Sequence, residues 1–255
     1  HQRKLIDVHF WDDFFPNTNK ISNPNLNLPV IIMAGGSGER LKPLTNILPK
    51  PLIPIGDKTI IEDIIQKFIS IGSKKFFISI FHKSELIKYY FNNKKNKKIN
   101  INFIEEKKPL GTAGSLHLLK DKINQPFFVS NCDIIIDQDY SEIYKYHKEN
   151  NNEITVVSAL NHFKFPYGII NTGKDGKLVS INEKPEITYE INSGMYILEP
   201  HLLDEIPTNE FFHITQLIEK VKLRNGAVGV FPVSEKSWKD IGDWEKYIAE
   251  INVII

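Results

Sequence analysis

The hydrophobic pattern of the chain changes period several times in its first half. Residues 29–33 form an unbroken apolar run, and 75–81, 99–104 and 127–130 are further short runs rich in Ile, Phe and Val. Runs of that length predict strands, and a strand apolar on both faces belongs inside a sheet covered on both sides. Between them the spacing becomes helical. Ile60, Ile61, Ile64, Ile65, Phe68 and Ile69 recur at intervals of three and four within 59–71, and Gly72 follows as a stop signal. Residues 84–91 predict a second helix and 140–150 a third, with Asp137 and Asp139 as candidate caps. Strands alternating with helices predict βαβ units with right-handed crossovers. The expected fold is therefore α/β: a Rossmann-like, doubly wound, mostly parallel mixed sheet flanked by helices.

From Asn150 the pattern shifts. Residues 153–160, 167–171, 178–182 and 191–198 read as strands with no helix between them, and Lys174-Asp175-Gly176-Lys177 reads as a hairpin turn. This half predicts a mixed extension of the same sheet. A helix over 213–223 ending at Asn225-Gly226, a strand over 227–233 and a last helix over 244–251, capped by Asp243, complete the reading.

Ligands of open α/β sheets bind at the carboxyl ends of the strands, and three chemically informative segments fall there. The first is Ala34-Gly35-Gly36-Ser37-Gly38 after the first strand. Its glycines let the backbone turn tightly, and amides aimed into one concavity make a nest for an anion. Arg40 adds a planar fork for phosphate oxygens and Lys50 a mobile point charge. From Gly36 the pattern is G-x-G-x-x-Leu, without the third glycine of the dinucleotide fingerprint, and no G-x-x-x-x-G-K-[ST] follows. That disfavours a nicotinamide-cofactor oxidoreductase and a P-loop enzyme. Taken alone, such a turn serves equally well as plain structure.

The second segment runs from Glu106 through Pro109-Leu110-Gly111-Thr112-Ala113-Gly114, where two glycines bracket Thr112 at an expected helix start and leave room for something flat against the backbone. The third is Asn131-Cys132-Asp133, a strand ending in a carboxylate. Magnesium is commonly held by one or two carboxylates plus substrate phosphate oxygens, which suits Asp133, although a strand-end Asp is also an ordinary turn residue.

Composition narrows the picture mainly by exclusion. The 41% hydrophobic and 25% charged content is globular, and 32 basic against 31 acidic residues give a formal charge of +1, so nothing calls for nucleic acid. The one dense basic run, Lys94-Lys95-Asn96-Lys97-Lys98, reads as a solvated loop. A single cysteine, Cys132, excludes an intrachain disulfide framework. Without a signal peptide or long apolar span, the expected setting is cytoplasmic, with no membrane partner. None of the eight histidines shows zinc spacing.

Taken together, G-G-x-G-x-R-L-x-P-L-T and P-K-P-L-x-P-I-G over residues 35–56 resemble the signature of the sugar-1-phosphate nucleotidyltransferases, also called nucleoside-diphosphate-sugar pyrophosphorylases. The resemblance continues through L-G-T-A-G at 110–114, Asp133, Tyr167-Gly168, Glu183-Lys184-Pro185, Asn192-Ser193-Gly194-Met195-Tyr196 and W-x-D-I-G at 238–242. It implies an enzyme joining a nucleoside monophosphate to a sugar-1-phosphate with release of pyrophosphate. It implies that Ala34 to Gly38, Glu106, Leu110, Gly111, Thr112 and Asn131 bind the nucleotide, with Arg40 and Lys50 on its phosphates. Asp133 and Asp240 are implied to share Mg2+, and Gly168, Glu183, Lys184, Asn192, Ser193 and Gly194 to take the sugar phosphate. In two places the chain departs from the family: Glu39 stands where Thr is usual, adding a carboxylate beside an anion loop, and His213 stands where an acidic residue is frequent.

The L-G-T-A-G turn is the form associated with guanylyltransferases. The stretch KLIDVHFWDDFF at 4–15, followed by an Asn- and Pro-rich linker to 27, resembles the end of a CBS-type regulatory module. We therefore expect an upstream regulatory domain ending within 1–27 and a nucleotidyltransferase domain over 28–255; residues 1–27 read equally well as an N-terminal strap packed on the core. Modules of that kind are fused to enzymes joining GTP and glucosamine-1-phosphate in nonulosonic (legionaminic) acid pathways. Mannose- and heptose-1-phosphate guanylyltransferases share the turn. Uridylyl or thymidylyl transfer is an alternative; a non-catalytic sugar-nucleotide sensor is another, but it would normally have lost Arg40, Lys50, Asp133 or Asp240, all of which are present, and a homo-oligomer is possible.

Overall fold

The computed structural model describes residues 25–94 and 99–254; the expectations for the N-terminal module and for most of the basic run at 94–98 fall outside the described residues. In chain order the strands and helices begin with β1 (Val30–Ala34), the short pair β2 (Pro54–Ile55) and β3 (Lys58–Thr59), α1 (Ile60–Ser70), β4 (Lys75–Ile80), α2 (Ser84–Asn93) and β5 (Asn100–Glu105). Next come β6 (Phe127–Asn131), β7 (Ile134–Ile136), α3 (Tyr140–Glu149), β8 (Ile154–Lys164), β9 (Ile169–Thr172), β10 (Leu178–Asn182) and β11 (Glu186–Leu198). The last are α4 (Ile214–Leu223), β12 (Val228–Val233), β13 (Trp238–Asp240) and α5 (Trp244–Ile254).

Seven strands form one sheet in the order β12-β8-β11-β6-β1-β4-β5. β6, β1, β4 and β5 are mutually parallel, β11 runs antiparallel between β6 and β8, and β12 is parallel to β8. The unbroken apolar run of β1 has the predicted cause. Val30 and Ile32 enter the core with Phe68 of α1 and Ile143 of α3, while Ile31 enters the opposite core with Leu217 and Val221 of α4. Both faces of the sheet are thus covered, as a mostly parallel α/β sheet requires.

Two differences from the sequence reading have clear physical causes. β8 and β11 run on past the expected ends, pairing Lys164 with Glu186 and Tyr189 with Asn161. Most residues of that extension face solvent, and although Ile187 and Tyr189 alternate with polar residues, they have no core face that would extend the strand reading. The helix expected after Thr112 is instead a 3-10 segment, Gly114–Leu119. Asp139 caps α3 by accepting from Ser141 N at 2.9 Å, whereas Asp137 pairs with Lys67 at 2.6 Å.

Candidate functional site

The glycine loop leaves the carboxyl end of β1 and bends at Gly38, whose φ of 69° lies in the left-handed region. A Cβ on Gly38 would meet Thr45 Cγ2 at 2.7 Å, so glycine is needed there for room as well as for backbone conformation. Thr45 Oγ1 donates to Gly38 O at 2.9 Å and fixes the bend. A Cβ on Gly36 would meet nothing within 4 Å, which leaves the backbone there open to a ligand. Gly35, Gly36, Ser37 and Gly38, with Arg40 and Lys50, line a cleft of about 480 Å3, a size that holds a nucleotide. Ala34 is buried at the end of β1 and is not among the lining residues. Glu39 also lines the cleft, but its carboxylate is ion-paired with Lys42, whose hydrogen bond holds it below the usual carboxylate range. The added negative charge beside the loop is therefore neutralised by its neighbour.

Glu106, Leu110, Gly111 and Thr112 form the facing wall. Glu106 shapes the turn: its Oε2 accepts from Leu110 N at 3.0 Å and its Oε1 from Ser79 Oγ at 2.6 Å. Each carboxylate oxygen has further lone-pair capacity, so these bonds do not exhaust it as an acceptor. Gly111 has φ 78°, and a Cβ there would lie 2.7 Å from Phe212 O. The turn thus leans on the loop before α4, and Phe211 and His213 from that loop complete the wall. His213 is also the N-cap of α4, with its N–H donating to Gln216 Oε1 at 2.7 Å.

At the floor the strands bring the acidic residues together. β13 pairs antiparallel with β7, setting Asp240 opposite Ile134, and Ile241 N donates to Asp133 O at 2.9 Å. A Cβ placed on Gly242 would lie 2.6 Å from Asp240 Oδ1, 2.9 Å from Arg40 Nη2 and 3.3 Å from Asp133 Oδ2. Three residues far apart in sequence therefore converge on a space that only glycine leaves open. Lys50 Nζ is ion-paired with Asp133, and Lys246 Nζ of α5 lies 2.6 Å from Asp240 Oδ2. Among the described residues there is no cluster of three or more His, Cys, Asp or Glu side chains arranged for a metal. Two carboxylates beside a phosphate-sized loop instead fit a hard cation that completes its shell with substrate oxygens. Buried Cys132, between these groups, has its thiol pushed up to about 12 by burial, which keeps it protonated and unreactive.

A second cleft of about 220 Å3 opens beside the first, and Arg40, Asn131 and Asp133 line both. Asn192, Ser193 and Gly194 from β11 and Asp240 from β13 form its other side. Gly194 has φ 88°, and a Cβ there would strike Asn131 Nδ2 at 2.6 Å, so this residue lets β11 lie close to the end of β6. Asn192 Oδ1 accepts from Gly194 N at 3.1 Å and from Tyr196 Oη at 2.9 Å. The hydroxyl of Ser193 turns inward to Val157 O at 2.7 Å. Gly168, Glu183 and Lys184 are not part of this lining. They sit on the exposed hairpin side, where a Cβ on Gly168 would meet Glu183 Oε2 at 2.6 Å.

Sequence reasoning passes over Phe211 and Lys246 and leaves the role of His213 open. Phe211 belongs to no motif, and nothing in a linear pattern shows that the loop at 211–213 packs on the turn at 110–114.

Residues 29–254 match the model of the Nucleotidyl transferase family, and the chain belongs to that family. It is 30% identical over 236 residues to a probable mannose-1-phosphate guanylyltransferase 1 of Oryza sativa subsp. japonica, covering 89% of this chain and 65% of that protein. A mannose-1-phosphate guanyltransferase of Yarrowia lipolytica is 37% identical over 184 residues, 69% of this chain and 50% of that one. The chain thus spans half to two thirds of the length of these two relatives. In structure it is similar to HddC from Yersinia pseudotuberculosis, with a TM-score of 0.70 and 25% identity over 89% of this chain and 100% of that one. No helix among the described residues is long and apolar enough to cross a membrane.

Proposed function

We propose that the chain is the catalytic domain of a sugar-1-phosphate guanylyltransferase, which joins GMP from GTP to a hexose-1-phosphate and releases pyrophosphate. The observation that carries this reading is the pair of clefts sharing Arg40 and Asp133: a larger one sized for a nucleoside triphosphate and a smaller polar one beside it. Transfer then takes place at the shared wall. An oxygen of the sugar phosphate attacks the α-phosphorus in line, the bond to the pyrophosphate oxygen breaks, and pyrophosphate leaves with that electron pair. Such chemistry needs position and charge neutralisation rather than a protein nucleophile.

The amides of Gly35 to Gly38 take triphosphate oxygens, Arg40 places its guanidinium over the transferring phosphate, and Lys50 moves from Asp133 to the phosphates. Asp133 and Asp240 would hold Mg2+, which when bound neutralises the phosphate oxygens. Glu106, Leu110, Gly111 and Thr112 read the base, and Asn131, Asn192 and Gly194 meet the sugar phosphate. Gly168, Glu183 and Lys184 reach the sugar only if the hairpin side folds toward the second cleft.

Guanine is supported by the L-G-T-A-G turn and by the activity for which both relatives are named, which also favours mannose-1-phosphate as the acceptor. Glucosamine-1-phosphate, the legionaminic-acid substrate, is the second reading, carried by the resemblance of residues 4–15 to part of a CBS-type module. The test is kcat/KM for GTP, UTP, dTTP, CTP and ATP with each sugar phosphate in Mg2+, following pyrophosphate release. GTP is expected to win. A preference for UTP or dTTP overturns the guanine assignment, and tight binding without turnover makes the chain a sensor instead.

A further inference from the structure

The loop before α4 is clasped to the L-G-T-A-G turn by its backbone. Phe212 N donates to Leu110 O at 2.9 Å, and Ala113 N and Gly114 N donate to Phe212 O at 3.0 and 3.1 Å. Ile214 N donates to Thr112 Oγ1 at 3.0 Å, and that oxygen lies 3.3 Å from His213 Nδ1. Three consecutive residues alternate in direction as on a strand. The side chain of Phe212 packs against the core beside Leu116 and Leu217, so Phe211 and His213 on either side of it turn outward and line the nucleotide cleft.

Phe211 remains 59% exposed and is the one aromatic hydrocarbon ring among the described residues lining the cleft. His213 stands edge-on to it, with ring centroids 4.7 Å apart and planes at 83°. An exposed aromatic ring braced by a second ring, beside a turn that offers backbone groups to a flat edge, is the arrangement that takes a nucleobase by its face.

We propose that Phe211 is the stacking face of the base pocket and that His213 is the positioning residue that holds its ring, while the turn at 110–112 reads the base edge. This rests on the reading that the larger cleft takes a nucleoside triphosphate. Stacking is indifferent to the identity of the base, so Phe211 supplies affinity and the turn supplies selectivity.

The experiment is titration calorimetry of GTP and UTP in Mg2+, without sugar phosphate, on wild type, Phe211→Ala, Phe211→Tyr and His213→Ala. Phe211→Ala is expected to weaken binding of whichever nucleotide the wild type takes by about tenfold, as loss of one stacked ring does. Phe211→Tyr is expected to retain wild-type affinity, and His213→Ala to lose about threefold. In Phe211→Trp the new indole is expected to be quenched by added nucleotide, a signal that a merely structural residue would not give. Wild-type affinity for GTP in Phe211→Ala overturns the stacking role and leaves the guanylyltransferase reading intact. Binding of UTP rather than GTP, weakened by Phe211→Ala, overturns the base assignment and supports the stacking role.

Discussion

Gly242 is where the chemistry is most sensitive to a single atom. A methyl group there would fall within 3.3 Å of Asp240, Arg40 and Asp133 at once, and the two carboxylates are already held by Lys246 and Lys50. Gly242→Ala is therefore expected to fold normally, with a melting temperature close to wild type, and to lose about a hundredfold in kcat/KM, the scale of a misplacement of about 1 Å. Turnover within a factor of two of wild type would show that the space is not used. Asp133→Asn and Asp240→Asn, which keep shape and remove charge, are each expected to abolish both turnover and Mn2+ binding as followed by electron paramagnetic resonance; intact Mn2+ binding in either would remove that carboxylate from the metal model. Arg40, Lys50 and Asp133 stand out in the chain as charges beside a glycine turn or at a strand end, a placement that also suits plain structure, and Asp240 stands out only through the W-x-D-I-G resemblance. Lys246 does not, since its pairing with Asp240 depends on where α5 packs.

At the scale of elements, legibility follows burial. β1 and β4 announce themselves as apolar runs buried on both faces and α1 by a core face of helical period, whereas the outer halves of β8 and β11 lie in solvent and have no core face. The pairing of β7 with β13 that unites the two aspartates involves three residues from each strand, too few to leave a pattern. The end of α4 carries a testable electrostatic clamp. Arg224 Nη1 donates to Glu153 Oε1 at 2.9 Å and its Nε to Glu205 Oε1 at 3.0 Å, tying the helix to the start of β8. Those bonds, from Arg224 above all and from His201 after it, bring the Glu153 carboxyl from its ordinary 4.5 down to about 2. A carboxyl lowered in the folded state stabilises it fully above pH 4.5, and that contribution fades as pH falls toward 2. Denaturant melts between pH 5 and pH 2.5 should show stability dropping in wild type and a shallower slope in Arg224→Met. Because Arg224 is 39% exposed, salt should reduce the difference; equal slopes would mean that the clamp does not contribute.

The whole molecule divides its labour across the seam between β6 and β11. On one side the parallel strands β1, β4 and β5 carry the glycine loop and the turn that frame the larger cleft. On the other, the antiparallel β11 brings Asn192 to Gly194 beside Asn131 and frames the smaller one. If each cleft holds its own substrate, damage on one side should not be felt on the other. Asn192→Ala removes the acceptor that orders Gly194 N and Tyr196 Oη without touching the larger cleft. It should raise KM for the sugar phosphate by about tenfold, the worth of one or two hydrogen bonds, and leave KM for GTP within a factor of two. Thr112→Ala, on the opposite wall, should do the reverse. Steady-state kinetics with each substrate varied at saturation of the other decides the matter. Two mutants that raise both constants together would mean that the clefts act as one site, and the division of substrates along the β6–β11 seam would have to be abandoned.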